Sequence, residues 1–172
     1  MVKNVICSRE TAPPSAWTFR IRPIRDFLQR HMIDGGERCV DPFAGNNSPA
    51  RYTNDQHPER RAFCHMDSEA YCQSLIGPFA GVLFDPPYSY RQVSEHYKEL
   101  GRKARSLDTS ANFYNRVMNA ICDKIEPGGY ALSFGWNSNG FGKNRGFELV
   151  EVLIVAHGQH HNDTICIAER KI

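Results

Sequence analysis

Two periods of apolar residues alternate along the chain. Over residues 17–32, Ile24, Phe27, Leu28 and His31 share one face at helical spacing, Pro23 sits near the start, and Gly35 and Gly36 end the run. Short apolar runs then predict a strand at 38–41, a second ending near Asp55, and others at 62–66, 81–84, 130–136, 147–156 and 164–168. Residues 67–75, 92–101 and 110–125 read as helices; in the last, Phe113, Val117, Ile121 and Ile125 are spaced by four, and Asp108, Thr109 and Ser110 offer its N-cap. The residues up to Ser15 include Pro13 and Pro14 and few apolar side chains, so they read as an irregular arm. Strands alternating with helices predict an α/β fold with a mostly parallel sheet, and the turn at 157–163 predicts a C-terminal antiparallel hairpin.

At 172 residues the chain has the size of one domain that buries a core without disulfides or structural metals, so a single domain over 1–172 is expected. Its 41% hydrophobic and 23% charged residues exclude a largely disordered chain. A formal charge of +2 is too weak a field to identify a polyanion partner, so any nucleic-acid surface must be a local patch. No apolar stretch approaches the ~20 residues of a membrane helix, and the first residues lack a signal peptide's apolar core; a cytoplasmic protein without membrane contact is expected. Cys7, Cys39, Cys64, Cys72, Cys122 and Cys166 form no C-x-x-C pair, which argues against zinc and disulfide frameworks.

Candidate chemistry concentrates in two turns. Asp85-Pro86-Pro87-Tyr88 follows the strand predicted at 81–84, and in such sheets ligands bind outside the carboxyl ends of strands. A strand stop alone explains the prolines but neither the flanking acid nor the aromatic. An exocyclic amine on a nucleobase is a poor nucleophile, so it must be held in line with its methyl donor. Asp85 and the Pro86 carbonyl can each accept one amine hydrogen, Pro86 and Pro87 fix the carbonyl's direction, and Tyr88 can stack on an extruded base. Asp41-Pro42-Phe43-Ala44-Gly45 likewise follows a predicted strand, ahead of a helix start expected at Asn47 or Ser48, and its glycine permits close approach of a ligand.

In this order the two turns resemble those of the DNA amino-methyltransferases, the N6-adenine and N4-cytosine enzymes, over nearly the whole chain. The resemblance implies a Rossmann-like methyltransferase fold and S-adenosyl-L-methionine as cofactor. In that family a D-P-F-x-G turn holds the cofactor and a (D/N/S)-P-P-(Y/F) tetrapeptide forms the catalytic site, implying Asp85, Pro86, Pro87 and Tyr88 as catalytic. Asp41, Pro42, Phe43, Ala44, Gly45 and Asn46 would surround the cofactor's methionine and sulfonium, with Thr18 and Phe19 from the preceding segment closing over that end. Asp55 matches the acid that accepts from the ribose hydroxyls, and Asp67 the polar residue near the cofactor's adenine, although a lone Asp after a strand is also a common helix N-cap.

The chain departs from the family where Asn47 replaces a second glycine, and in showing no separate target-recognition domain, which leaves room for a homodimer or a partner subunit. The link 137–146 is too short for the helix many relatives carry there, yet it holds Phe141, Lys143 and Arg145 on the expected substrate rim. Arg91, Lys98, Arg102, Lys103 and Arg105 form the densest basic stretch, which reads equally as a phosphate-tracking surface or a solvated helix face. The His-rich turn at 157–163 is read as an ordinary turn rather than a metal site. The expected reaction is methyl transfer to an exocyclic amine, adenine N6 of DNA first; RNA adenine, cytosine N4, and a non-catalytic binding subunit are the alternatives. C5 methylation is disfavoured because no cysteine follows a proline.

Overall fold

The computed structural model describes residues 4–87, 111–158 and 161–172. Its strands are β1 (Ile6–Thr11), β2 (Cys39–Asp41), β3 (Tyr52–Thr53), β4 (Phe79–Phe84), β5 (Ile125–Gly135), β6 (Phe147–Ala156) and β7 (Thr164–Lys171). They form a seven-stranded sheet in the order β1-β6-β7-β5-β4-β2-β3. Strand β7 runs antiparallel to β5 and β6, and every other pairing is parallel, as the sequence pattern predicts.

Helix α1 (Arg22–His31) contributes to one core, while α2 (Ser68–Ser74) and α3 (Ala111–Cys122) contribute to the other. All six residues of β4 are buried. Leu83 joins Ile24, Phe27, Leu132 and Phe134, whereas Val82 and Phe84 join Tyr71, Val117 and Ile121. A strand covered on both faces has no polar side, so β4 reads as an unbroken apolar run. Buried Glu151 of β6 pins α1, accepting from Arg30 Nη2 at 2.6 Å and lying 2.6 Å from His31 Nε2.

Four local expectations are corrected. The supposed irregular arm contains β1, an edge strand parallel to β6; most of its side chains are exposed, so its ladder leaves no hydrophobic signature. The helix predicted over 17–32 begins only at Arg22, because an earlier start would place Pro23 in the helix interior, where its ring clashes with a preceding carbonyl. Residues 18–20 form a separate 3₁₀ turn. No helix follows the Asp41–Gly45 turn: Ser48 is bonded to Asp41, and Pro49 disfavours helical backbone before it. The strand expected at 62–66 shrinks to a single bridge between Asn54 and Cys64, with Phe63 exposed.

The short β2–β3 connection closes tightly on the end of the α1 segment. Arg51 N donates to Gly36 O at 3.0 Å. Gly36 has φ 96°, and a Cβ there would lie 2.4 Å from Pro49 O, so only glycine permits the approach. The helix expected at 92–101, the N-cap at 108–110, Tyr88, Arg91, Lys98, Arg102, Lys103 and Arg105 lie outside the described residues.

Candidate active site

Strands β2 and β4 are parallel neighbours, so Asp41 at the end of one and Asp85 just beyond the other stand at the same carboxyl edge of the sheet. Asp41 is fully buried, accepting from Phe43 N at 2.9 Å and from Ser48 Oγ at 2.6 Å. Burial pushes its carboxyl up to about 7; those two bonds oppose the rise, and the charges of Asp85 and Asp55 add to it. Asp41 therefore shapes the turn from within.

The rest of the turn is tied to the next strand. Ala44 N donates to Asn54 O and Asn54 N to Asp41 O, each at 2.9 Å. Asp55 accepts from Gly45 N at 3.0 Å and from His57 N at 2.8 Å. Gly45 has φ 53°, and a Cβ built on it would meet nothing within 4 Å, because it faces an open cavity of about 400 Å³. That cavity brings together Thr18, Phe19, Phe43, Ala44, Gly45 and Asn46, with Asp55 and Asp85 also on its wall. Eight of the sequence-derived positions thus converge on one cleft, although they come from four separate stretches of chain.

Pro42 lies behind the cleft, its carbonyl accepting from Asn54 Nδ2 and Ser68 Oγ. Asp67 lies outside it, exposed and capping α2 through Ala70 N at 3.0 Å. Lys143 is exposed, while Arg145 donates to Asn119 Oδ1, Phe141 O and Asn115 Oδ1, joining the link to α3. Neither lines the cleft.

Asp85 is half-buried. Desolvation raises its carboxyl to about 6, opposed by a hydrogen bond that the Thr18 hydroxyl donates. Pro86 is buried, and the Pro87 carbonyl accepts from Tyr114 Oη on α3, which steadies the backbone after Asp85. Thr18 and Asp85 also line a second cavity of about 250 Å³, whose wall includes Trp136, His157, His161, Asn162 and Thr164. The two acids, the glycine turn and the shared wall suit a pair of ligands meeting at Asp85.

Sequence reasoning missed Asn54, Tyr114 and the β6–β7 turn as parts of this arrangement. Asn54 is fully buried, and besides Pro42 O its side chain bonds Met66 O and Met66 N, both at 3.0 Å. An uncharged residue inside a weak strand gave no local signal for that role.

No protein-family model matches the chain, and no curated protein matches it in sequence. Its structure is similar to that of TrmN from Thermus thermophilus, with TM-score 0.58 and 14% identity over 88% of this chain and 49% of TrmN. The chain therefore spans about half the length of that protein. The fold is the Rossmann-like methyltransferase fold. HI0767 from Haemophilus influenzae, described as a methylase, has TM-score 0.51 and 11% identity over 88% of this chain and 96% of its own. YhhF from Escherichia coli, described as a methyltransferase, has TM-score 0.52 and 12% identity over 94% of this chain and 90% of its own. At such identities the likeness is one of fold, and the chemistry must be argued from the cleft itself.

Proposed function

We propose that the chain is a methyltransferase that uses S-adenosyl-L-methionine and methylates an exocyclic amine of a nucleobase, with adenine N6 of DNA as the first substrate to test. The observation that carries this reading is the position of Asp85 on the wall shared by the two cavities, where a donor on one side and an acceptor on the other would meet. The larger cavity fits the donor: Gly45 leaves open the space a side chain would fill, and the Asp55 carboxylate has lone pairs beyond its two amide bonds for a vicinal diol. When bound, the cofactor supplies an electrophilic methyl group on a sulfonium.

This chain's own residues would do the rest. Asp85, held by Thr18, accepts one N–H of the amine, and the Pro86 carbonyl accepts the other, fixing the nitrogen's lone pair toward the donor. Once methylated, the nitrogen would be cationic, and Asp85 would take up the proton it sheds. A carboxyl raised to about 6 is a better proton acceptor than an ordinary aspartate. Tyr88 stacks on the base, and the stretch containing Arg91, Lys98, Arg102, Lys103 and Arg105 tracks phosphates, with Lys143 a further phosphate contact. Arg145 belongs with the scaffold of the link in this reading, and Asp67 caps α2. Residues 1–172 act as one domain, and a homodimer or partner subunit could extend target recognition.

The test is incubation with tritiated S-adenosylmethionine and unmethylated DNA and RNA, followed by nucleoside analysis. Label in N6-methyl-2′-deoxyadenosine from the DNA is expected. Label confined to RNA or to N4-methylcytosine would move the substrate, and no label in any nucleic acid would defeat the reading.

A further inference from the structure

We propose that His161 and Asn162, just ahead of β7, with Trp136 just after β5, select the acceptor, so that this catalytic fold carries its own base-reading wall. The inference rests on the methyl-transfer reading and adds to it the residues that recognise the acceptor. The smaller cavity shares Thr18 and Asp85 with the larger one but not Gly45 or its turn, and its wall includes Trp136, His161, Asn162 and Thr164. At about 250 Å³ it falls below the ~300–1,000 Å³ of sites for drug-sized ligands. That size suits one planar heterocycle rather than a whole nucleotide.

The chemistry of the lining agrees. Among the described residues the cavity wall has two histidines but no lysine or arginine, and Asp85 is an acid, a lining that favours a neutral base over a phosphate. Trp136 is 44% exposed and lines the cavity, where an indole offers a stacking face. Asn162 and His161 are exposed at the turn, where an amide and an imidazole can read the donor and acceptor pattern of a base edge.

His157 has a different task. Its ring nitrogens lie 3.0 Å from Ala12 O and 2.8 Å from Thr164 Oγ1. A carbonyl only accepts, so Nδ1 carries the proton and, in the neutral ring, Nε2 accepts from Thr164. His157 thereby ties the segment after β1, which supplies Pro14 and Ser15 to the same cavity, to the first residue of β7. It is a positioning residue. His157, His161 and Asn162 thus line a cavity that also reaches Asp85, far from them in sequence.

The chain's two tryptophans provide the test, because Trp17 lines the donor cavity and Trp136 the acceptor cavity. In Trp17→Phe, with S-adenosylhomocysteine present, titration with 9-methyladenine into the millimolar range should change Trp136 emission. Asn162→Ala in that background should weaken the response roughly fivefold or more, the usual consequence of one lost hydrogen bond to a ligand. No change in Trp136 emission, or the same apparent affinity in Asn162→Ala and in His161→Ala, would overturn the inference. The donor side is read separately in Trp136→Phe, where S-adenosylmethionine should alter Trp17 emission. Silence there, with Trp136 still responding to 9-methyladenine, would refute the methyl-transfer reading and leave a base-binding cavity.

Discussion

Replacing Asn54 by alanine tests whether one buried side chain holds the Asp41–Gly45 turn in shape. Its amide nitrogen donates to Pro42 O at 3.2 Å and Met66 O at 3.0 Å, and its oxygen accepts from Met66 N at 3.0 Å. Three bonds at a net ~0.5–1.5 kcal/mol each set a range of ~1.5–4.5 kcal/mol. The lower half applies. Pro42 O keeps the Ser68 hydroxyl at 3.1 Å, and Met66 is 37% exposed, so water can reach the backbone groups it would leave unpaired. Asn54→Ala should therefore lose about 1.5–3 kcal/mol in urea unfolding. Asn54→Asp should lose more at neutral pH, because it sets a carboxylate against two carbonyl oxygens. Calorimetry on the folded variants should show weaker S-adenosylmethionine binding, since Asn54 also carries the backbone bonds to Asp41 and Ala44. A variant within about 0.5 kcal/mol of wild type, the usual scatter for surface changes, would refute the claim that this network sets the turn.

Other substitutions separate the remaining roles. Single-turnover methyl transfer should fall as pH drops through about 6, where Asp85 takes up a proton, and Asp85→Asn should lose both most of the rate and that acid limb; an unchanged limb would assign it to another group. Asp41 titrates near 3.8 when unfolded but at about 7 when folded, so the native state holds the extra proton between those values and stability falls as pH rises from about 4 to about 7. Asp41→Asn removes that slope, and a wild-type-minus-variant difference that stays constant from pH 5 to pH 8 in urea melts would contradict it. Gly45→Leu should cost about 1–2 kcal/mol for its left-handed backbone and abolish cofactor binding, because its side chain enters the open cleft; full affinity in a folded variant would move the site. Joint replacement of Arg102, Lys103 and Arg105 should flatten the salt dependence of DNA binding without altering cofactor affinity, and an unaltered salt slope would make the stretch a solvated face.

The sequence by itself determined the mostly parallel α/β alternation and the C-terminal hairpin, because burial on one helix face, or on one or both sheet faces, leaves a local pattern of period near four, two or none. It marked Asp41 and Asp85 by their place just after apolar runs, and the parallel pairing of β2 and β4 turns that linear coincidence into a shared edge. It did not reveal β1, whose side chains stay largely exposed while its backbone is paired, or the true start of α1, which the ring of Pro23 sets. Only the tertiary structure decided which residues face one another. Thr18, Asp85, Trp136 and Asn162 have no periodic relation, and they line one cavity because crossovers bring the ends of β4, β5 and the β6–β7 turn to the same rim. The same packing couples Arg145 to α3 and turns His157 into a clasp, since a hydrogen bond depends on distance in space, which residue spacing does not encode.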